Sequence, residues 1–336
     1  MAIDILNIEP HKVSRDLSGY VIYIFGPGGV GKTTLATQLE KPLLLACEKG
    51  YNALPGIKAV DITSWADMKS VVRQLKNAKA KEMYKSISID TVDLAADMCE
   101  RYICNREGVE KISDIPWGGG FKMMKKEFEE TFRSIVMAGY ALFFISHSKD
   151  KVFKREDGTE YNQIVPSLSA SNNDIIRNMS DLEGYAHQVV DEDGNSVVML
   201  SLRSPDGSVE CKSRFKYMEP EIQFTYDSIA TALRDAIEKE ASLNGDKYVT
   251  DDAPQVQEKD VQADFDALIN EFNEMVAAVH KNVDKVDWKT VWTPKIVEIT
   301  DKHLGKGKKV SDATPKQIEQ IAVIVDELRS EIENGL

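Results

Sequence analysis

The sequence predicts an α/β fold: a mainly parallel sheet wrapped by helices, an antiparallel extension, and a small helical C-terminal domain. Three observations carry this. Short apolar runs alternate with helix-period stretches from about Ser18 to Tyr226, the pattern of a parallel sheet covered by helices. A glycine-rich turn, Gly26 to Gly31, links the first of these runs to helix-compatible residues Thr34 to Leu39. Beyond Asp181 the runs are separated by Asp193-Gly194 and Asp206-Gly207, two strong hairpin signals that mark antiparallel strands.

In chain order the predicted core strands are Tyr20–Phe25, Pro42–Ala46, Ala59–Asp61, Ser86–Asp90 and Tyr140–Ser146. The antiparallel extension comprises Tyr185–Asp191, Ser196–Arg203 and Val209–Phe215. Residues 1–17 read as an N-terminal segment and 18–240 as the core. A polar, acidic stretch without apolar period, 241–262, reads as a flexible linker. Residues 263–336 form the helical domain. Phe265, Leu268, Ile269, Phe272, Val276 and Val279 recur at helix spacing, and Thr314-Pro315-Lys316-Gln317 supplies a cap, a proline at the first helical position and a capping-box partner. Ile318, Ile321, Ile324, Val325 and Leu328 then line one face of the last helix.

The 336 residues suffice for a full core plus a smaller unit. A net charge of −13 excludes a generally sticky polycation, so any nucleic-acid contact needs a local basic strip. Beyond Arg234 there are 22 acidic residues against 13 basic ones, which leaves the front of the chain near neutral. Cys47, Cys99, Cys104 and Cys211 show no zinc-ligand spacing and read as reduced thiols. No apolar run approaches the roughly 20 residues that span a bilayer, and the N-terminus lacks a leader pattern. The expected compartment is the cytoplasm.

Gly26-Pro27-Gly28-Gly29-Val30-Gly31-Lys32-Thr33 fits the phosphate-loop pattern G-x-x-x-x-G-K-[ST] at every fixed position, between an apolar strand and a helix. Such a loop aims backbone N–H groups at a triphosphate, its lysine reaches the β and γ oxygens, and its Thr33 hydroxyl ligates Mg²⁺. Thr34 follows at the positive end of the helix. ATP and Mg²⁺ are therefore the expected ligands.

A magnesium ion held by one hydroxyl and two phosphates needs a carboxylate nearby to fix its waters. Ser86-Ile87-Ser88-Ile89-Asp90 delivers Asp90 to the carboxyl end of a strand, where ligands bind in open α/β sheets. Asp93 is either a second such group or an ordinary helix N-terminal carboxylate. Glu48 ends Leu43-Leu44-Leu45-Ala46-Cys47-Glu48 and is either the general base for hydrolysis or a solvated turn residue. His147, after Phe143-Phe144-Ile145-Ser146, is either structural or a sensor of the γ-phosphate.

Taken in order, GPGGVGKTT, LLLACE, SISIDTVD and ALFFISHSKD resemble the RecA-like P-loop ATPase core over roughly residues 15 to 235. More narrowly, SISIDTVDL, DIPWGGGF and SHSKDK resemble phage-encoded RecA-like ATPases of the Sak single-strand annealing recombinase group. The resemblance implies that Glu48 activates water and that position 147 relays the phosphate state to a DNA-binding loop. The family usually has an amide there, and a histidine brings a proton that exchanges near neutrality. It also implies self-association as a ring or filament, and a phage protein acting in a bacterial host.

Two loops of such cores face the axis of a filament, here about Ile112–Phe121 and Ser148–Ser171. The second carries Lys149, Lys151, Phe153, Lys154 and Arg155, a cation cluster with an aromatic that suits single-stranded DNA, the alternative being an exposed charged hairpin. Trp117-Gly118-Gly119-Gly120-Phe121 suits a loop that orders on a polymer, or a linker with one buried tryptophan. Lys212 and Arg214 resemble the Lys-x-Arg finger that ring-forming motors insert into a neighbour's site. An exposed strand face would read the same. The expected activity is single-stranded-DNA-dependent ATP hydrolysis in phage recombination or replication, by annealing or strand exchange. Two alternatives stand: an ATP-gated switch or loader whose C-terminal domain grips a replication or single-strand-binding protein, and a small-molecule kinase.

Overall fold

The computed structural model describes residues 10–155, 157–244, 248–251 and 261–335. They fall into two compact units, one within Pro10–Val256 and one within Gln257–Leu336.

The first unit begins with β1 (Val13–Ser14) and β2 (Val21–Phe25), and the latter leads through the glycine turn into α1 (Lys32–Ala36). Next come β3 (Pro42–Ala46), β4 (Ala59–Asp61), α2 (Trp65–Gln74), α3 (Ala78–Met83) and β5 (Ser86–Asp90). Ser64 starts α2 by accepting from the Asp67 N–H, the side-chain cap expected of serine. Then follow α4 (Val92–Glu107), α5 (Gly119–Met137), β6 (Ala141–Ser146), β7 (Ser148–Lys154), β8 (Glu160–Pro166) and α6 (Ala170–Met179). β9 (Leu182–Val190), β10 (Ser196–Ser201), β11 (Lys212–Ser213), β12 (Glu221–Gln223), α7 (Tyr226–Asn244) and β13 (Val249–Thr250) complete it.

The main sheet has the order β12-β10-β9-β2-β6-β5-β3-β4, with β11 pairing β9 beside this path. β9, β2, β6, β5, β3 and β4 run parallel, whereas β10, β11 and β12 add antiparallel pairs. The strand before the glycine turn is thus separated from the strand of Asp90 by one neighbour, β6. This is the mainly parallel α/β sheet with an antiparallel extension expected from the sequence.

Strand residues buried on both faces explain the apolar runs. Val21, Tyr23, Leu43, Leu45, Ile87, Ile89, Leu142 and Phe144 face one core with Trp65, Met68, Phe128 and Phe132. Ile22, Ile24, Leu44, Ala46, Phe143 and Ile145 face the other with Leu35, Ile229 and Leu233. Three layers result, and the carboxyl ends of β2, β3, β5 and β6 emerge together at one edge.

Several expectations change here. Ser148–Ser171 is no open loop: β7 and β8 form an antiparallel hairpin in which Phe153 pairs with Tyr161, and α6 follows. Ile112–Phe121 is held as well, because Ile112 and Ile115 are buried and Gly119–Phe121 already belong to α5. A Cβ on Gly120 would lie 2.4 Å from the Ile112 carbonyl oxygen, so this glycine permits close packing instead of flexibility. Of Val209–Phe215 only Lys212–Ser213 is strand, while Val209 makes a single bridge to Ile164. The stretch expected as a linker is in part regular structure: Ala241–Asn244 finish α7, and Val249–Thr250 pair in parallel with Val13–Ser14. Residues 245–247 and 252–260 of that stretch and the segment 1–9 lie outside the described residues.

The second unit contains α8 (Val261–Asn282), the short α9 (Lys285–Asp287), α10 (Thr293–Leu304) and α11 (Ile318–Gly335). Its own core joins Phe265, Phe272 and Val279 to Trp292, Ile299, Ile321, Ile324, Val325 and Leu328. Gln317 Oε1 accepts from the Thr314 backbone N–H at 3.1 Å, which closes the capping box read from the sequence. No helix among the described residues is long and apolar enough to cross a membrane.

Candidate nucleotide site

The glycine turn sits at the carboxyl end of β2, and its shape follows from two glycines. A Cβ on Gly26 would stand 2.3 Å from the Ala186 carbonyl oxygen, so β9 approaches too closely for any side chain. Gly31 has φ 88°, a left-handed conformation from which α1 begins. Gly28, Gly29 and Gly31 have open space where a Cβ would stand, which leaves the cradle clear for phosphate oxygens.

Lys32 is only 6% exposed and donates to the carbonyls of Gly26 and Pro27, each at 2.8 Å. Burial pulls its pKa down, while Asp90, Asp93 and Glu48 push the other way. Thr33 Oγ1 donates to Asp90 Oδ2 at 2.9 Å. Asp90 is 3% exposed, and burial lifts its pKa against the pull of the Thr33 hydroxyl. A buried carboxylate beside a hydroxyl is a hard oxygen pair of the kind magnesium takes, so these residues fit the cation.

Glu48 follows β3 at the same edge, where its backbone N–H and that of Cys47 donate to the Asp90 carbonyl. Its Oε2 lies 3.4 Å from both Thr91 Oγ1 and His147 Nε2. The residues at the ends of β2, β3, β5 and β6 therefore converge: Lys32, Thr33, Glu48, Asp90 and His147 share one site. The sequence reading missed Thr91, for which the residues gave no signal beyond adjacency to Asp90. Asp93 accepts a hydrogen bond from the Ser167 hydroxyl, so its first oxygen is committed to the root of the hairpin.

The hairpin sorts the basic cluster by face. Lys151 Nζ lies 4.6 Å from the Phe153 ring centroid, Phe153 stacks with Tyr161 at 5.6 Å, and Arg155 lies 4.6 Å from the Tyr161 ring. Tyr161 was missed, although the turn at Asp157-Gly158 sets the register that brings it opposite Phe153. Lys154 is on the opposite face, and Lys149 spends its ammonium on the carbonyls of Ser167 and Leu168 at 2.7 and 3.2 Å. Trp117 is 98% exposed, with φ 61°.

Lys212 and Arg214 do share a face, but it turns toward the carboxyl end of α6. Lys212 donates to the Arg177 carbonyl, and Arg214 to the Asn178 carbonyl at 2.8 Å and to Asp181 at 2.8 Å. Two cations at a helix C-terminus satisfy its free carbonyls and favour its dipole. That gives the pair a structural role within the chain. No cluster of three or more metal-binding side chains occurs among the described residues. The four cysteines are free thiols.

A phosphate cradle at the edge of a parallel sheet, with a buried acidic residue one strand removed, defines a P-loop nucleotide-binding protein. The chain belongs to the AAA domain family, whose model matches residues 18–215. It is 33% identical to the SPbeta prophage-derived uncharacterized protein YorG of Bacillus subtilis strain 168, over 98% of each chain. Two archaeal structures show similarity at lower identity. The flagellar accessory protein FlaH of Methanocaldococcus jannaschii is 11% identical, covers 64% of this chain and 86% of its own, and has a TM-score of 0.33. A KaiC-like protein of Pyrococcus horikoshii is 13% identical, with 61% and 84% covered and a TM-score of 0.35.

Proposed function

We propose that the protein is a magnesium-dependent ATPase whose turnover is governed by single-stranded DNA held on the β7–β8 hairpin, acting in phage DNA recombination or replication. The observation that carries the ATPase reading is the Thr33–Asp90 pair inside a complete phosphate loop, with Glu48 at the same edge. Lys32 would leave the carbonyls of Gly26 and Pro27 for the β and γ oxygens and neutralise charge that develops there. Thr33 and Asp90 would hold Mg²⁺, which supplies charge neutralisation across the same oxygens. Glu48 orients the attacking water and accepts its proton, and Thr91 and His147 fix the carboxylate from two sides. The strand end at His147 runs directly into β7, so the γ-phosphate sensor and the hairpin are chain neighbours.

The DNA reading is supported by the ordered cations and rings of one hairpin face, Lys151, Phe153, Tyr161 and Arg155. The prophage origin of the relative agrees with a phage setting. Steady-state ATP hydrolysis with and without single-stranded oligonucleotide tests both parts. The expected result is turnover that rises on DNA and disappears in Lys32→Ala, by about 10²–10³-fold or more. Turnover indifferent to DNA removes the DNA part, and wild-type turnover in Lys32→Ala removes the site.

A further inference from the structure

The hairpin and the nucleotide edge meet at one residue, Ser167, immediately after β8. All its polar groups are engaged, and each reaches a different segment. The backbone N–H donates to the His147 carbonyl at 2.8 Å, at the end of β6. The carbonyl accepts from Lys149 of β7 at 2.7 Å, and the hydroxyl donates to Asp93 Oδ1 in the first turn of α4. Asp93 lies three residues beyond Asp90. Its second oxygen, Oδ2, is buried without a hydrogen-bond partner, and its charge acts on Lys32.

We propose that Ser167 and Asp93 are positioning residues that clamp the root of the β7–β8 hairpin to the nucleotide edge, so that nucleotide state and hairpin order change together. A partnerless buried carboxylate oxygen is costly, so Asp93 stays in place only while its other oxygen and the nearby ammonium hold it. When Lys32 turns from the loop carbonyls to a triphosphate, the field on Asp93 changes and the Ser167 hydrogen bond changes with it. The coupling is reciprocal: whatever orders the hairpin acts back on Asp93 and Lys32. The clamp rests on the reading that this edge binds ATP. It does not require that the hairpin bind DNA.

Amide hydrogen exchange across Ser148–Pro166, in the full-length protein with Mg²⁺ and either ADP or a non-hydrolysable ATP analogue, tests it without DNA. In the wild type the exchange rates of the hairpin should differ by about fivefold or more between the two nucleotides. Ser167→Ala and Asp93→Ala should each abolish that difference while retaining analogue binding, and Ser167→Thr should restore it. A hairpin indifferent to nucleotide in the wild type, or a full response surviving in either alanine variant, overturns the clamp. Should Ser167→Ala fail to fold, Asp93→Ala reads the same hydrogen bond. Absent DNA stimulation with a nucleotide-responsive hairpin would remove the DNA reading and leave the clamp standing.

Discussion

Asp90 carries a charge where burial disfavours one, and that conflict is the signature of a site built for a cation. Its folded pKa lies above the unfolded value of 3.8, so the native state keeps a proton that the unfolded chain has already released. Stability therefore declines as pH rises from 3.8 through the folded value. Asp90→Asn should raise the melting temperature of the nucleotide-free protein by about 2–4 °C for each kcal/mol gained, while turnover disappears. Thermal melts and ATPase rates on the same preparation check this, and a lower melting temperature would contradict it. Glu183 has the same sign of shift with a wider window. It is fully buried, and burial first, then the charge of Glu210, lift its pKa from 4.5 to about 7 against the Arg177 ion pair at 2.9 Å. The native state again binds the extra proton, so stability should fall as pH rises from 4.5 to about 7. Urea midpoints across that range should slope downward in the wild type and flatten in Glu183→Gln.

At the level of elements, the hairpin concentrates the testable nucleic-acid chemistry. A cation held over a ring has already given up rotamer freedom, so Lys151 and Arg155 are better prepared to meet phosphates than free lysines would be. Charge reversal at Lys151 and Lys154 should reduce the salt slope of single-strand affinity by about 0.7 for each phosphate that is no longer neutralised. Fluorescence anisotropy at several salt concentrations measures it. If the slope fell only for Lys154→Glu, the stacked face would not be the one that meets DNA. Elements also account for what changed between expectation and structure. A turn at Asp157-Gly158 was readable and Val152, Phe153, Tyr161, Ile164 and Val165 are β-formers, yet Lys149, Lys151, Lys154 and Glu160 interleaved with them suit an exposed loop as well. The contacts of Lys212 and Arg214 with the end of α6 were not readable, because nothing local announces that this helix ends beside them.

Across the whole molecule, two units with separate cores predict separate responses to ligand. Mg²⁺ with an ATP analogue at about 100 times its Kd should stabilise the first unit by about 2.7 kcal/mol and leave the helical unit unchanged. Scanning calorimetry should show one shifted and one stationary transition, whereas a joint shift would mean that the units unfold as one. The α/β class, the phosphate loop and the carboxylate at the end of Ser86–Asp90 were legible from the residues alone, because a closely spaced motif and fully buried strands leave local marks. The helical unit was legible for the same reason, through the 3.6-residue period of Phe265 to Val279 and of Ile318 to Leu328. What required the tertiary structure was the other pairings across long stretches of chain: Ser167 with Asp93, Gly26 against Ala186, and Lys212 and Arg214 on the end of α6. Sequence alone determined which local conformations and charges this chain possesses. Only folding decided which of them meet, since encounters between distant residues depend on sheet order and close packing, which no neighbouring residue encodes.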